Sequence, residues 1–127
     1  MKLEIQYYGE ISEIDINSID DLKKELLEYS GYFIPNEDDY AIDLLEKNYF
    51  DELIDELEEY FAHSFFLIAK EYFLLIKEIY NSSDINFIIG KVDLINSICD
   101  KAGYDLKYKI KKVKLWIQYI KYLYYNL

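Results

Sequence analysis

The chain of 127 residues contains no arginine and only one cysteine, one histidine and one proline. Without arginine there are no planar, bidentate forks for phosphate or carboxylate, so all fourteen basic residues act as lysine point charges. A lone Cys99 forms no internal disulfide; a single thiol in an apolar helical pattern is expected to be a small buried hydrophobe, which suits a reducing compartment. The start MKLEIQYYGE has no charged leader, apolar run and small-residue cleavage site, and the chain reads as cytoplasmic.

Long apolar runs are missing as well. The longest stretch without an acid or lysine in LIDELEEYFAHSFFLIAKEYFLLIKEIY runs from Tyr60 to Ala69, ten residues, against about 20 for a membrane span. No transmembrane segment is expected. The phosphate-binding, dinucleotide, CxxC and HExxH motifs are absent. His63 has Glu59 at i−4 rather than the i−3 of a di-iron bundle, and no second histidine, so no metal and no cofactor is expected. A catalytic grouping of His63 with Ser64 or Cys99 has no support in the spacing, and His63 reads as a hydrogen-bonded core residue.

What the chain has is apolar content, 52%, enough for one domain with a core of its own, and acid. Twenty-five Asp and Glu against fourteen Lys give a formal charge of −11. The imbalance is one-sided: residues 1–63 hold 19 acids and 4 lysines, a formal −15, whereas residues 64–127 hold 6 acids and 10 lysines, a formal +4.

The patterning predicts a mostly α-helical single domain, a bundle of about five helices with a small N-terminal β-hairpin over residues 2–16. In KLEIQYY and SEIDI the apolar Leu3, Ile5, Tyr7, Ile14 and Ile16 alternate with polar residues, and Gly9-Glu10 turns the chain. Helices are expected over about 19–30, 37–48, 49–81, 84–102 and 105–126. Ser18 caps the first and Gly31 stops it; Asn36 caps the second, with an acidic first turn suited to the helix dipole. The third carries a stripe at 50, 54, 57, 61, 64, 68, 72, 75 and 79, all apolar or aromatic except Ser64, which is small enough for a tight helix crossing. Asp84 caps the fourth and Gly103 ends it. Asp105 caps the fifth, whose seam of Leu106, Ile110, Val113, Ile117, Ile120, Tyr124 and Leu127 offers a homodimer contact.

Two surfaces stand out. Between residues 37 and 59 there are eleven carboxylates and a single lysine, Lys47. Glu37, Asp38, Asp39, Asp43, Asp51, Glu52, Asp55, Glu56, Glu58 and Glu59 form the first candidate partner-binding surface. Solvated carboxylates in rows on helices steer a basic partner and resemble the charge spacing of a nucleic acid. The second is the basic, aromatic C-terminal stretch with Lys107, Lys111, Lys114, Trp116, Tyr122 and Tyr125, suited to an anionic membrane surface, RNA or the molecule's own acidic half. The net charge speaks against direct nucleic-acid binding.

These features suggest a small acidic inhibitor or antidote that blocks a basic, nucleic-acid-binding site on a protein partner such as a nuclease or CRISPR effector. In size, charge and lack of motifs the chain is similar to toxin-immunity proteins and to phage-encoded inhibitors of bacterial defence nucleases, anti-CRISPR proteins among them. The alternatives are a helical immunity protein acting at the membrane surface through its C-terminal helix, and an enzyme with a site assembled from scattered residues.

Overall fold

The computed structural model describes residues 1–111. Among them are five α-helices and a three-stranded antiparallel sheet, in the order β1 (Lys2–Tyr7), β2 (Glu10–Asp15), α1 (Ile19–Glu28), a 3-10 turn (Tyr29–Phe33), α2 (Asp39–Glu46), α3 (Phe50–Tyr60), α4 (His63–Asn81), α5 (Ile85–Ala102) and β3 (Leu106–Lys111). The protein is mostly helical, as its patterning predicts.

The hairpin forms where the period-two alternation places it. Tyr8 and Gly9 connect the strands with positive φ at both positions, 50° and 82°, the two-residue turn whose twist matches the strands. Glycine takes such a conformation without cost, whereas Tyr8 is held there by the turn. Register sets Leu3 opposite Ile14 and Ile5 opposite Ser12, so Leu3, Ile5 and Ile16 are buried and the other face is polar apart from Ile11.

Several helix ends also follow local chemistry. Ser18 caps α1 through its Oγ, which accepts from the Asp21 N–H at 3.1 Å, and Asp84 caps α5 by accepting from the Asn86 N–H at 2.9 Å. Gly103 closes α5 with φ 79°. The second helix starts later than expected, because the Asp38 side chain rather than Asn36 takes the Ala41 N–H, at 3.0 Å. Gly31 falls inside the 3-10 turn that continues α1.

Two expectations are overturned. The segment 49–81 is not one rod: Phe61 and Ala62 are extended, with ψ 147° and 145°, and separate α3 from α4. In a continuous helix the 26 residues from Asp51 to Lys77 would span about 39 Å. Instead their side chains meet at 2.8 Å, so α3 folds back along α4. The driving force is α3's apolar face: Phe50, Leu53, Ile54 and Leu57 are buried by the fold-back, and a straight rod would have held them away from the core. The predicted stripe holds at both ends and fails in its middle, where Phe61 and Ile68 are half-buried and Ser64 is exposed. Ser64 therefore marks the break and not a helix crossing.

The second correction concerns 105–126. Residues 106–111 form β3, paired with β1 from Lys2↔Lys111 to Tyr7↔Leu106. Leu106 and Tyr108 alternate into the core with Ile110 half-buried between core and surface, so no helical seam exists at Leu106 and Ile110. The rest of the expected seam lies outside the described residues.

α4 is the central element, packing against α1, α3 and α5. Its Tyr72 and Phe73 are fully buried, and the Phe33 ring stacks on Tyr72 with centroids 4.1 Å apart. The Tyr72 hydroxyl meets the Ser30 hydroxyl at 3.2 Å, which satisfies both buried groups. Asn96 on α5 locks the sheet to the helices: its Nδ2 donates to the Tyr108 carbonyl and its Oδ1 accepts from the Tyr108 N–H, both at 2.8 Å. Replacing it orphans two backbone groups at once. Asn96→Leu is expected to lower the unfolding free energy by about 2 kcal/mol in urea denaturation, within the range for stranded buried polar groups.

Candidate protein-binding interface

The acidic residues occupy α2, α3 and the turns before them, and the fold sorts them into distinct environments. Asp38 is buried, with Oδ1 committed to the α2 cap and Oδ2 without a hydrogen-bond partner among the described residues. It is a structural residue rather than part of an accessible surface. Asp43 is bound by Lys47 at 2.9 Å, one helical turn on, and Asp51 by Lys77 at 2.8 Å. Both are exposed pairs of the kind that contribute little to stability.

The remainder form the outward surface. Glu37, Asp39, Glu52, Asp55, Glu58 and Glu59 are exposed and have no ion pair among the described residues. On α3, Phe50, Leu53, Ile54 and Leu57 point inward, so the helical period throws Asp51, Glu52, Asp55, Glu58 and Glu59 onto the opposite side. Glu56 lies at the boundary, half-buried. Its carboxyl is held above the usual range, first by its partial removal from water and then by the charges of Asp38 and Glu59. Tyr60 is raised for a related reason, chiefly the Asp38 charge.

The fold adds three acids outside the acidic cluster, Asp20, Glu25 and Glu28, and sets Glu46, one of the eleven carboxylates of residues 37–59, beside them. Asp20, Glu25, Glu28 and Glu46 line a groove between α1, the end of α2 and the end of α4, with Leu27 and Leu45 among its apolar residues. Lys23 and Lys24 line the same groove, where the Lys23 Nζ donates to the Tyr80 carbonyl at 2.9 Å. Burial, and next the Glu28 charge, hold the Glu25 carboxyl above its ordinary value. The only signal of Asp20, Glu25 and Glu28 in the sequence was the −15 of the first half.

Two residues of the second candidate surface, Lys107 and Lys111, lie on β3 rather than on a helix. Lys107 contacts the Asp100 carboxylate and donates to the Asn96 carbonyl, so its ammonium is tied to α5. Lys111 ends β3 opposite Lys2. Lys114, Trp116, Tyr122 and Tyr125 lie outside the described residues.

His63 is exposed in the first turn of α4, a correction to its expected place in the core, because the chain break at Phe61-Ala62 moves it to a helix end. Cys99 is buried as expected, and burial pushes its thiol up to about 11, which leaves almost no thiolate at neutral pH. Among the described residues no three His, Cys, Asp or Glu side chains are placed to hold a metal ion, and no helix is long and apolar enough to cross a membrane. No protein family, no curated protein and no solved structure matches this chain.

Two measurements test these environments. Glu56 binds its proton more tightly in the folded chain, so its favourable contribution is full below the ordinary carboxylate range and is lost as pH rises through the raised value. Glu56→Gln should therefore raise the melting temperature at pH 7, and the gain should vanish near pH 3.5, below the usual pKa of about 4.3. Cys99 should react with a thiol reagent at neutral pH far more slowly in the native protein than in denaturant, with the stability owed to its neutral form lost only as pH climbs towards 11.

Proposed function

We propose that this chain is a protein-binding inhibitor or antidote that lays the outer face of α3 on a basic, nucleic-acid-handling surface of its partner, of which a nuclease or CRISPR effector is the type. The observation that carries this reading is the exposed side of α3: Glu52, Asp55, Glu58 and Glu59 project together and have no ion pair among the described residues.

Charge density supports it. The six carboxylates from Asp51 to Glu59 advance over about 12 Å of helix axis, or roughly one charge per 2 Å, close to the one per about 1.7 Å of duplex DNA. A cation-lined channel built for phosphates meets a similar field on α3, carried on a fixed scaffold. Binding releases the partner's counterions and hinders the nucleic acid from entering, without chemistry of its own. Specificity comes from shape and from the aromatic residues that flank the charges, Tyr49 and Tyr60, both more than half exposed.

Immobilised protein should retain nucleic-acid-binding proteins from cells that encode it, with retention falling steeply as salt rises. The double variant Asp55→Lys, Glu58→Lys should lose them, whereas Glu78→Lys, Asp93→Lys, with the same change in net charge on α4 and α5, should keep them. Equal retention by both variants overturns the reading.

A further inference from the structure

The sheet has two edges, and the fold treats them differently. On β3, both outward groups of Tyr108 are taken by the Asn96 side chain, which stands where a fourth strand would lie. On the far side of β2 nothing comparable is found among the described residues: the sheet order ends there, and five of the six β2 residues are exposed.

Register determines which groups face outward. The Ile16 N–H donates to the Met1 carbonyl at 2.8 Å, and bonded pairs alternate with non-bonded ones along an antiparallel ladder. Leu3↔Ile14, Ile5↔Ser12 and Tyr7↔Glu10 are therefore the bonded pairs of the hairpin. Ile11 and Asp15, opposite Gln6 and Lys2, turn their N–H and C=O away from β1. Such a row is a template for one more strand.

Charge selects the strand. EISEID carries Glu10, Glu13 and Asp15 and no base; Lys2 of β1 lies 3.8 Å from both Glu13 and Asp15, one cation against three acids, so the strand stays net negative. A second copy pairing through the same edge would bring acids against acids, and like charges placed opposite one another are destabilising. A lysine- or arginine-bearing segment meets the opposite sign, and Ile11, 60% exposed, offers an apolar contact for an aliphatic residue in that segment.

We propose that the outer edge of β2 docks an extended, basic segment of a protein partner, which adds to the sheet as a fourth strand through the backbone groups of Ile11 and Asp15. The edge is separate from the α3 surface and stands or falls independently of it.

The test uses the full chain and a synthetic peptide of alternating lysine and valine, with an octamer of D-lysine as a probe that carries charge without forming a matching strand. Amide exchange is followed by NMR. In the protein alone, the Ile11 and Asp15 amides should exchange fast and those of Ser12 and Ile14 slowly. The lysine–valine peptide should slow Ile11 and Asp15 about tenfold or more, and D-lysine should not. Ile11→Pro removes one outward N–H at a position where an edge strand tolerates proline, and should abolish the protection of Asp15 with little change in melting temperature. Absence of binding, binding that leaves Ile11 and Asp15 unprotected, or equal protection of Asp15 in Ile11→Pro overturns the proposal. Should that variant not fold, the contrast between the two peptides on the unaltered chain decides the matter alone.

Discussion

An eleven-residue helix with six carboxylates has little reason to stay folded by itself. Isolated helices of that length are marginal in water, and α3 adds like-charge repulsion at six i,i+3 and i,i+4 spacings, among them Asp51/Asp55, Glu52/Glu56 and Asp55/Glu59. What holds it is the burial of Phe50, Leu53, Ile54 and Leu57 along α4, with the Phe50 ring set edge-on to Tyr80 at 5.8 Å. Each such side chain contributes about 1.5–3 kcal/mol when fully buried, more than the few tenths lost per like-charged pair. The apolar contact therefore permits the acidic surface, and the reversal at Phe61-Ala62 permits the contact.

The same logic connects the sheet to the helices. β1 lies between a hairpin partner close in sequence and a strand that follows α5, so the acidic first half and the basic second half are joined in one sheet. On the outward face, Lys107 and Lys109 of β3 lie across from Gln6 and Glu4, with Glu13 of β2 beyond. Lys2 reaches Glu13 and Asp15 at 3.8 Å each. The molecule's charge separation is thus graded across three strands rather than divided between two bodies.

Elements governed by local chemistry were legible in the sequence. The hairpin followed from alternation around Gly9, α1 from Ser18, and α5 from Asp84 and Gly103, because caps and turns act within a few residues. The break between α3 and α4 was not, since no glycine or proline marks it and Ala62 makes no side-chain cap. Only the polar Ser64 within an otherwise apolar stripe hinted that the phase slips there. β3 was misread because Leu106 and Ile110 also fit a helical spacing, and the choice between the periods was made by β1, about a hundred residues earlier. At the acidic surface the residues were legible but their roles were not. Nothing local separates Asp38, buried as a cap, from Asp39, exposed beside it; the packing of the second helix decides.

The long separation between β1 and β3 has a consequence for synthesis. Translation at about 5–20 residues per second leaves β1 with only its hairpin partner for about 5–20 s before β3 is made. During that interval the edge later closed by β3 is open, and Leu3 and Ile5 have no completed core beneath them. The acids of the nascent first half keep such chains apart by mutual repulsion while they wait. The charge that serves the finished molecule as a surface thus protects the unfinished one from its neighbours.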